Sequence, residues 1–166
     1  MANTQSMCTS FMGQLMNGGH QFGSITLVSR GSTTAPTADT FKAALYFASA
    51  TMNAATTAYT TTNEVTNTSG TGYTAGGVTV TNANAVTATN SSTTAGVAYW
   101  TPSASFSWSA LTVNTAFDTV LLYNSTQNNT AVSVHTFGSQ TISAGTFTLT
   151  MPPNTTSNAL LRLSTT

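Results

Sequence analysis

Charge is the scarcest commodity in this sequence. Of 166 residues, three are Lys or Arg (Arg30, Lys42, Arg162) and three are Asp or Glu (Asp39, Glu64, Asp118), giving a formal net charge of zero. Nucleic-acid binding draws its affinity mainly from Lys and Arg neutralising phosphates, so a basic footprint for DNA or RNA is excluded. Few general acids or bases remain. A single cysteine, Cys8, rules out an internal disulfide. No apolar run approaches the ~18 residues of a membrane span, and MANTQSMCTS lacks the basic region and apolar core of a secretory signal.

In place of charge the chain has hydroxyls and amides; threonine alone accounts for 38 of the 166 residues. A neutral surface of this kind repels its own copies weakly, which suits a protein packed beside copies of itself or a partner. A Thr-rich secreted β protein has the same composition. The five Asn-x-Ser/Thr matches, at Asn67, Asn90, Asn124, Asn128 and Asn154, are about as many as 14 Asn and 57 Ser plus Thr give by chance, so they carry no information.

The glycine-rich stretch Asn63–Gly77 (NEVTNTSGTGYTAGG) is not a phosphate cradle. No Gly-Lys-Ser/Thr occurs, and Val78-Thr-Val-Thr follows as a strand pattern rather than a helix start. Ser/His/Asp combinations can be assembled on paper from His20 or His135, Asp39 or Asp118 and any of 19 serines, which makes such matches worthless. No Gly-x-Ser-x-Gly elbow is present, and His135 reads as a surface or interface histidine. The two histidines, one cysteine and three acids never fall at local metal-ligand spacings. The expectation is therefore no catalytic residue, no metal and no cofactor.

Local patterns predict one short helix followed by strands. Ser10 can cap Phe11-Met-Gly-Gln-Leu-Met, with Phe11, Met12, Leu15 and Met16 forming an apolar stripe and Gly18-Gly19 supplying the stop. Two helical turns are marginal alone, so the stripe either caps its own domain or docks on a neighbour through its adaptable methionines. Period-two alternation marks Ser105–Ser109 and Thr146–Met151. Phe117–Tyr123 reads as a central strand with Ala131–Phe137 as its hairpin partner, and Ser24–Val28, Phe41–Ala48, Val78–Thr81, Val97–Trp100 and Leu160–Leu163 complete the set. Phe41–Ala48 is ambiguous because its alanines favour helix; Phe41, Leu45 and Phe47 on one face favour strand. Ala54–Thr62 and Asn82–Thr94 lack an apolar period and read as connectors. The predicted fold is mainly β: an antiparallel β-sandwich, jelly-roll or Ig-like, of about eight to nine short strands over residues 22–166, preceded by an N-terminal arm with a short helix over residues 1–21. Trp108 alternates with serines as core residues do, whereas Tyr99 and Trp100, near a strand end, read as exposed.

The segments FKAALY (41–46), TTAYTTTNEV (56–65), GTGYTAGG (70–77), AYW (98–100), LLYN (121–124), AVSVHTFGS (131–139) and GTFTLTMP (145–152), in this order, resemble a family of small tailed-bacteriophage virion proteins. The similarity runs from about Phe11 to Leu163. Two departures are extra residues between Gln21 and Thr40 and an Asn67-Thr-Ser insertion before the glycine block. The resemblance implies a non-enzymatic, β-rich structural protein of the particle with no catalytic residues to carry over. Together with the nearly uncharged, Thr-rich surface, it leads to the expectation of a capsid decoration or cement protein on the capsid surface, assembled in the bacterial host cytoplasm, whose partners are the major capsid protein and copies of itself as a homotrimer. Phe11, Met12, Leu15, Met16, Tyr99 and Trp100 are the candidate partner-interface residues. The alternative is a receptor- or glycan-binding module of a tail or head fibre, motivated by Tyr99 and Trp100; a third, a cell-wall hydrolase, would depend on Glu64.

Overall fold

The structure is a computed structural model that describes residues 2–22, 37–66, 71–82, 84, 86–91 and 94–164. It is mainly β, with two antiparallel sheets and one short helix near the N-terminus. The larger sheet has the order β1-β7-β6-β2-β3, built from β1 (Ser6–Met7), β2 (Phe41–Phe47), β3 (Val78–Thr79), β6 (Phe106–Asn124) and β7 (Thr130–Leu149). The smaller has the order β4-β5-β8, from β4 (Thr87–Ser91), β5 (Thr94–Trp100) and β8 (Leu161–Ser164). The segment Ser24–Val28, read as a strand, and the Asn67-Thr-Ser insertion lie outside the described residues.

Strand β2 settles the ambiguity of its alanines. It pairs with β6 from Phe41↔Asn124 to Phe47↔Phe117, and Phe41, Ala43, Ala44, Leu45 and Tyr46 are all buried. Small alanines let the sheet be covered on both faces, which a helix at this place would prevent. Cross-strand partners share a face. One face therefore carries Phe41, Ala43, Leu45, Leu122, Val120, Ser133 and His135, and the other carries Lys42, Ala44, Tyr46, Tyr123, Leu121 and Val134.

Two pairs of expected strands are single long ones. Ser105–Ser109, from Phe106 on, and Phe117–Tyr123 are both part of the 19-residue β6, and Ala131–Phe137 and Thr146–Met151 fall almost wholly within the 20-residue β7, which ends at Leu149. The expected hairpin across Asn124–Asn129 joins them, with Asn128 and Asn129 in the left-handed region. Repeated register shifts interrupt the alternation, and Ala110 and Ala144 also have positive φ, 53° and 49°. Such bulges bend a ladder without ending it. A further correction concerns Asn82–Thr94, read as a connector, which contains β4.

The helix α1 (Thr9–Met16) starts two residues earlier than a Ser10 cap predicts. Cys8 holds the N-cap position without a side-chain bond, and the Ser10 hydroxyl is buried with no partner. Gly18, at φ 71°, ends the helix, where the Gly18 and Gly19 amides donate to the Leu15 and Gln14 carbonyls. The segment is seated in the domain. β1 pairs with β7, the Cys8 amide donates to Val132 O (3.0 Å), and the Thr9 amide donates to Ala54 O (2.8 Å).

Candidate functional site

The smaller sheet has one apolar face. Ala88, Ala98 and Leu163 lie opposite one another, as do Trp100 and Leu161, so the alternation of three strands brings them to the same side as Val86. That side turns towards α1 and the larger sheet. Trp100 meets Phe22 at 4.8 Å and Phe41 at 6.0 Å between ring centroids, and Phe22 stacks on Phe41 at 4.6 Å. Between α1 and the smaller sheet a cleft of about 70 Å³ remains, lined by Met7, Leu15, Val86, Ala98, Leu161 and Leu163 with Phe11, Phe22, Tyr99 and Trp100 around it.

The expected interface residues divide on this geometry. Phe11, Leu15, Tyr99 and Trp100 are brought to one cleft, although α1 and β5 are far apart in the chain. Met12 and Met16 are not in its lining; they occupy the outward stripe of α1, 43 % and 89 % exposed. The sheet covers only half of the expected four-residue stripe, because positions one apart on a helix are about 100° apart in direction. Trp100 corrects the reading from sequence. It is 2 % exposed, and its indole N–H donates to Asn82 Oδ1 (2.9 Å) and to Asn84 O (3.2 Å). The Asn82 amide in turn donates to the Phe22 carbonyl. Trp100 thus has no open ring face on which a sugar could stack. Tyr99, across from Arg162, is half-buried. Met7, Phe22, Val86, Leu161 and Leu163 escaped the reading from sequence; the alternating Leu161 and Leu163 were the available signal.

The C-terminal end of α1 is tied down by a polar network. Asn124 Oδ1 accepts the Thr126 and Gln127 amides, which turns its NH₂ towards Asp39 Oδ2 (2.7 Å) and His20 Nδ1 (3.0 Å). His20 is therefore neutral with its proton on Nε2, which donates to Gln14 Oε1 at 2.7 Å. Burial among Phe11, Phe22 and Phe41 lowers the His20 pKa, against the pull of Asp39. Cys8 is buried, and burial alone pushes its thiol up to about 11, leaving no thiolate for chemistry at neutral pH.

The other acids are committed to structure. Glu64, 4 % exposed, accepts three hydrogen bonds: from Tyr73 OH (2.7 Å), Tyr59 OH (2.6 Å) and the Gly76 amide (2.7 Å). Tyr73 OH also accepts the Leu45 amide, and Tyr123 OH donates to Gly76 O. The glycine-rich stretch is needed here for close approach. A side chain at Gly77 (φ 73°) would overlap the Ala43 carbonyl, and one at Gly72 (φ 66°) the Ala110 carbonyl. Asp118 accepts from Asn3 and Thr119. His135, half-buried between β7 and β8, bonds Ser133 Oγ at 2.8 Å, and burial lowers its pKa to about 4. With Glu64, Asp39 and Asp118 engaged elsewhere, the Ser133–His135 pair has no carboxylate to orient it in the manner of a triad.

Comparison with protein-family models, curated proteins and solved structures finds no match for this chain.

Proposed function

We propose that this chain is a non-enzymatic structural protein of a tailed-bacteriophage particle, a decoration or cement protein that docks on the major capsid protein and braces the shell. One observation carries the reading. Among the described residues the large hydrophobic side chains left exposed are Met12, Met16, Val86 and Leu163, and all four sit on α1 or on the rim of the adjoining cleft. Apolar surface gathered on one side of a neutral protein is an association site. With so little charge to steer or bind, the contact energy has to come from burial of such side chains and from backbone and hydroxyl hydrogen bonds. The methionines suit a partner surface of irregular relief.

The ordered resemblance to small phage virion proteins supports the particle as the setting, and with it a homotrimer about a local three-fold axis. Quantitative mass spectrometry of purified virions of the phage encoding the chain tests this. The expected result is a copy number comparable to that of the major capsid protein. Absence from the particle, or a few copies only, overturns the decoration role.

A further inference from the structure

The distal half of the long hairpin leaves a strand edge open. β7 has β6 on one side along its whole length, but on the other side β1 reaches it only at Ser133 and Val134. Among the described residues no strand pairs with the outer edge of Gly145–Leu149. Open edges are ordinarily guarded by charges, prolines, bulges or brevity. Between Asp118 and Arg162 the chain has no Asp, Glu, Lys or Arg, and Gly145–Leu149 has no proline. A bulge does guard the edge upstream. Leu111 faces Gly145 while Val113 faces Ile142, so β7 has one residue extra around Ser143–Ala144, and Ala144 sits at φ 49°. This bulge confines the unguarded stretch to the five residues after it.

Those five residues are self-complementary. Thr146 and Thr148 are exposed, and Phe147, between them, points to the other face, where it meets Trp108, Phe117 and Phe137. If two copies meet antiparallel about a two-fold axis at Phe147, Thr146 of one lies opposite Thr148 of the other and Gly145 opposite Leu149. Threonine then pairs with threonine and apolar face continues into apolar face.

We propose that Gly145–Leu149 is a homotypic docking edge, at which two copies join their five-stranded sheets into one continuous ten-stranded sheet. An antiparallel two-fold contact is isologous and closes on itself. The paired stretch is only about 17 Å long at ~3.4 Å per residue, so the contact is weak by itself and gains force where copies are held close together, as on an assembled surface. It is distinct from any three-fold contact and does not depend on the α1 cleft.

The test is sedimentation of the purified chain over a wide concentration range, together with charge-swapped variants at the two exposed threonines. The wild type is expected to show a reversible doubling of mass. Thr146→Lys/Thr148→Lys places lysine opposite lysine and is expected to weaken doubling at least tenfold. Thr146→Glu/Thr148→Glu does the same, and an equimolar mixture of the two variants restores it. A wild type with no doubling at millimolar concentration, doubling indifferent to both variants, open-ended aggregation, or failure of the mixture to restore pairing each overturns the proposal. Absence of the chain from virions would overturn the decoration role and leave this result standing.

Discussion

On one face of the five-stranded sheet Phe22, Phe41 and Trp100 stack beneath α1, and an apolar cleft stays open beside them; on the other, Glu64 draws Tyr59, Tyr73 and the Gly76 amide into one buried knot. The polar face is closed by directional bonds whose members are fixed in position. A hydrogen bond left unmade in such a place costs the full desolvation of its partner, so these bonds hold the connectors over this face in place. The apolar face is held by non-directional burial, which tolerates an incompletely filled gap. The proposed docking surface of this nearly uncharged protein accordingly lies on the apolar face.

The largest effect should come from breaking the polar face. Glu64→Leu strands two tyrosine hydroxyls and one amide, and we expect a loss of about 3–5 kcal/mol in urea unfolding. A loss under about 1 kcal/mol would mean that Glu64 does not hold the connectors. Glu64→Gln, which keeps one acceptor, should cost less.

Alkali probes the same face. Burial raises the Tyr46, Tyr59, Tyr73 and Tyr123 phenols above their ordinary value of 10, Tyr123 to about 12. The folded state thus holds these protons after the unfolded state has lost them, so their contribution is complete below pH 10 and is lost as pH rises beyond it. Phenolate absorbance of the four should appear with unfolding, in one cooperative step. Independent titration of all four near pH 10 in a folded chain would contradict the network.

Acid acts on the side of the sheet that bears α1. His20 and His135 have pKa values lowered from 6.5 by burial, His135 to about 4. Below pH 6.5 the unfolded chain takes up protons that the folded chain refuses, so stability falls from pH 6.5 towards pH 4. His20→Gln should flatten part of this slope. Histidine nitrogen shifts should report His20 with its proton on Nε2; a proton on Nδ1 would contradict the Asn124 bond.

Much of the fold was legible in the sequence because its signals are local. Alternation gave the strands around Trp108 and Phe147, apolar residues on both faces marked Phe117–Tyr123 as central, and the Gly18-Gly19 stop was in place. Bulges hid the long strands, since the extra residue at Ala144 flips the pattern and reads as a strand end. β4 was hidden because Thr-Ala-Thr-Asn-Ser has only Ala88 to place on the apolar side. The burial of Trp100 depends on Phe22 and Asn82, contacts that no local pattern encodes. Of the Glu64 knot only the glycines of residues 70–77 stood out in the sequence; Tyr59, Tyr73 and Tyr123 join it through the fold.

The smallest expected effect on stability belongs to the outward methionines, and it bears most directly on the account. Met12→Gln/Met16→Gln changes two exposed side chains and should alter unfolding by less than about 0.5 kcal/mol. Binding of this double variant to virions stripped of the native chain is the decisive measurement. We predict wild-type melting with binding weakened at least tenfold; binding equal to wild type would show that the apolar side of the molecule is not its docking face.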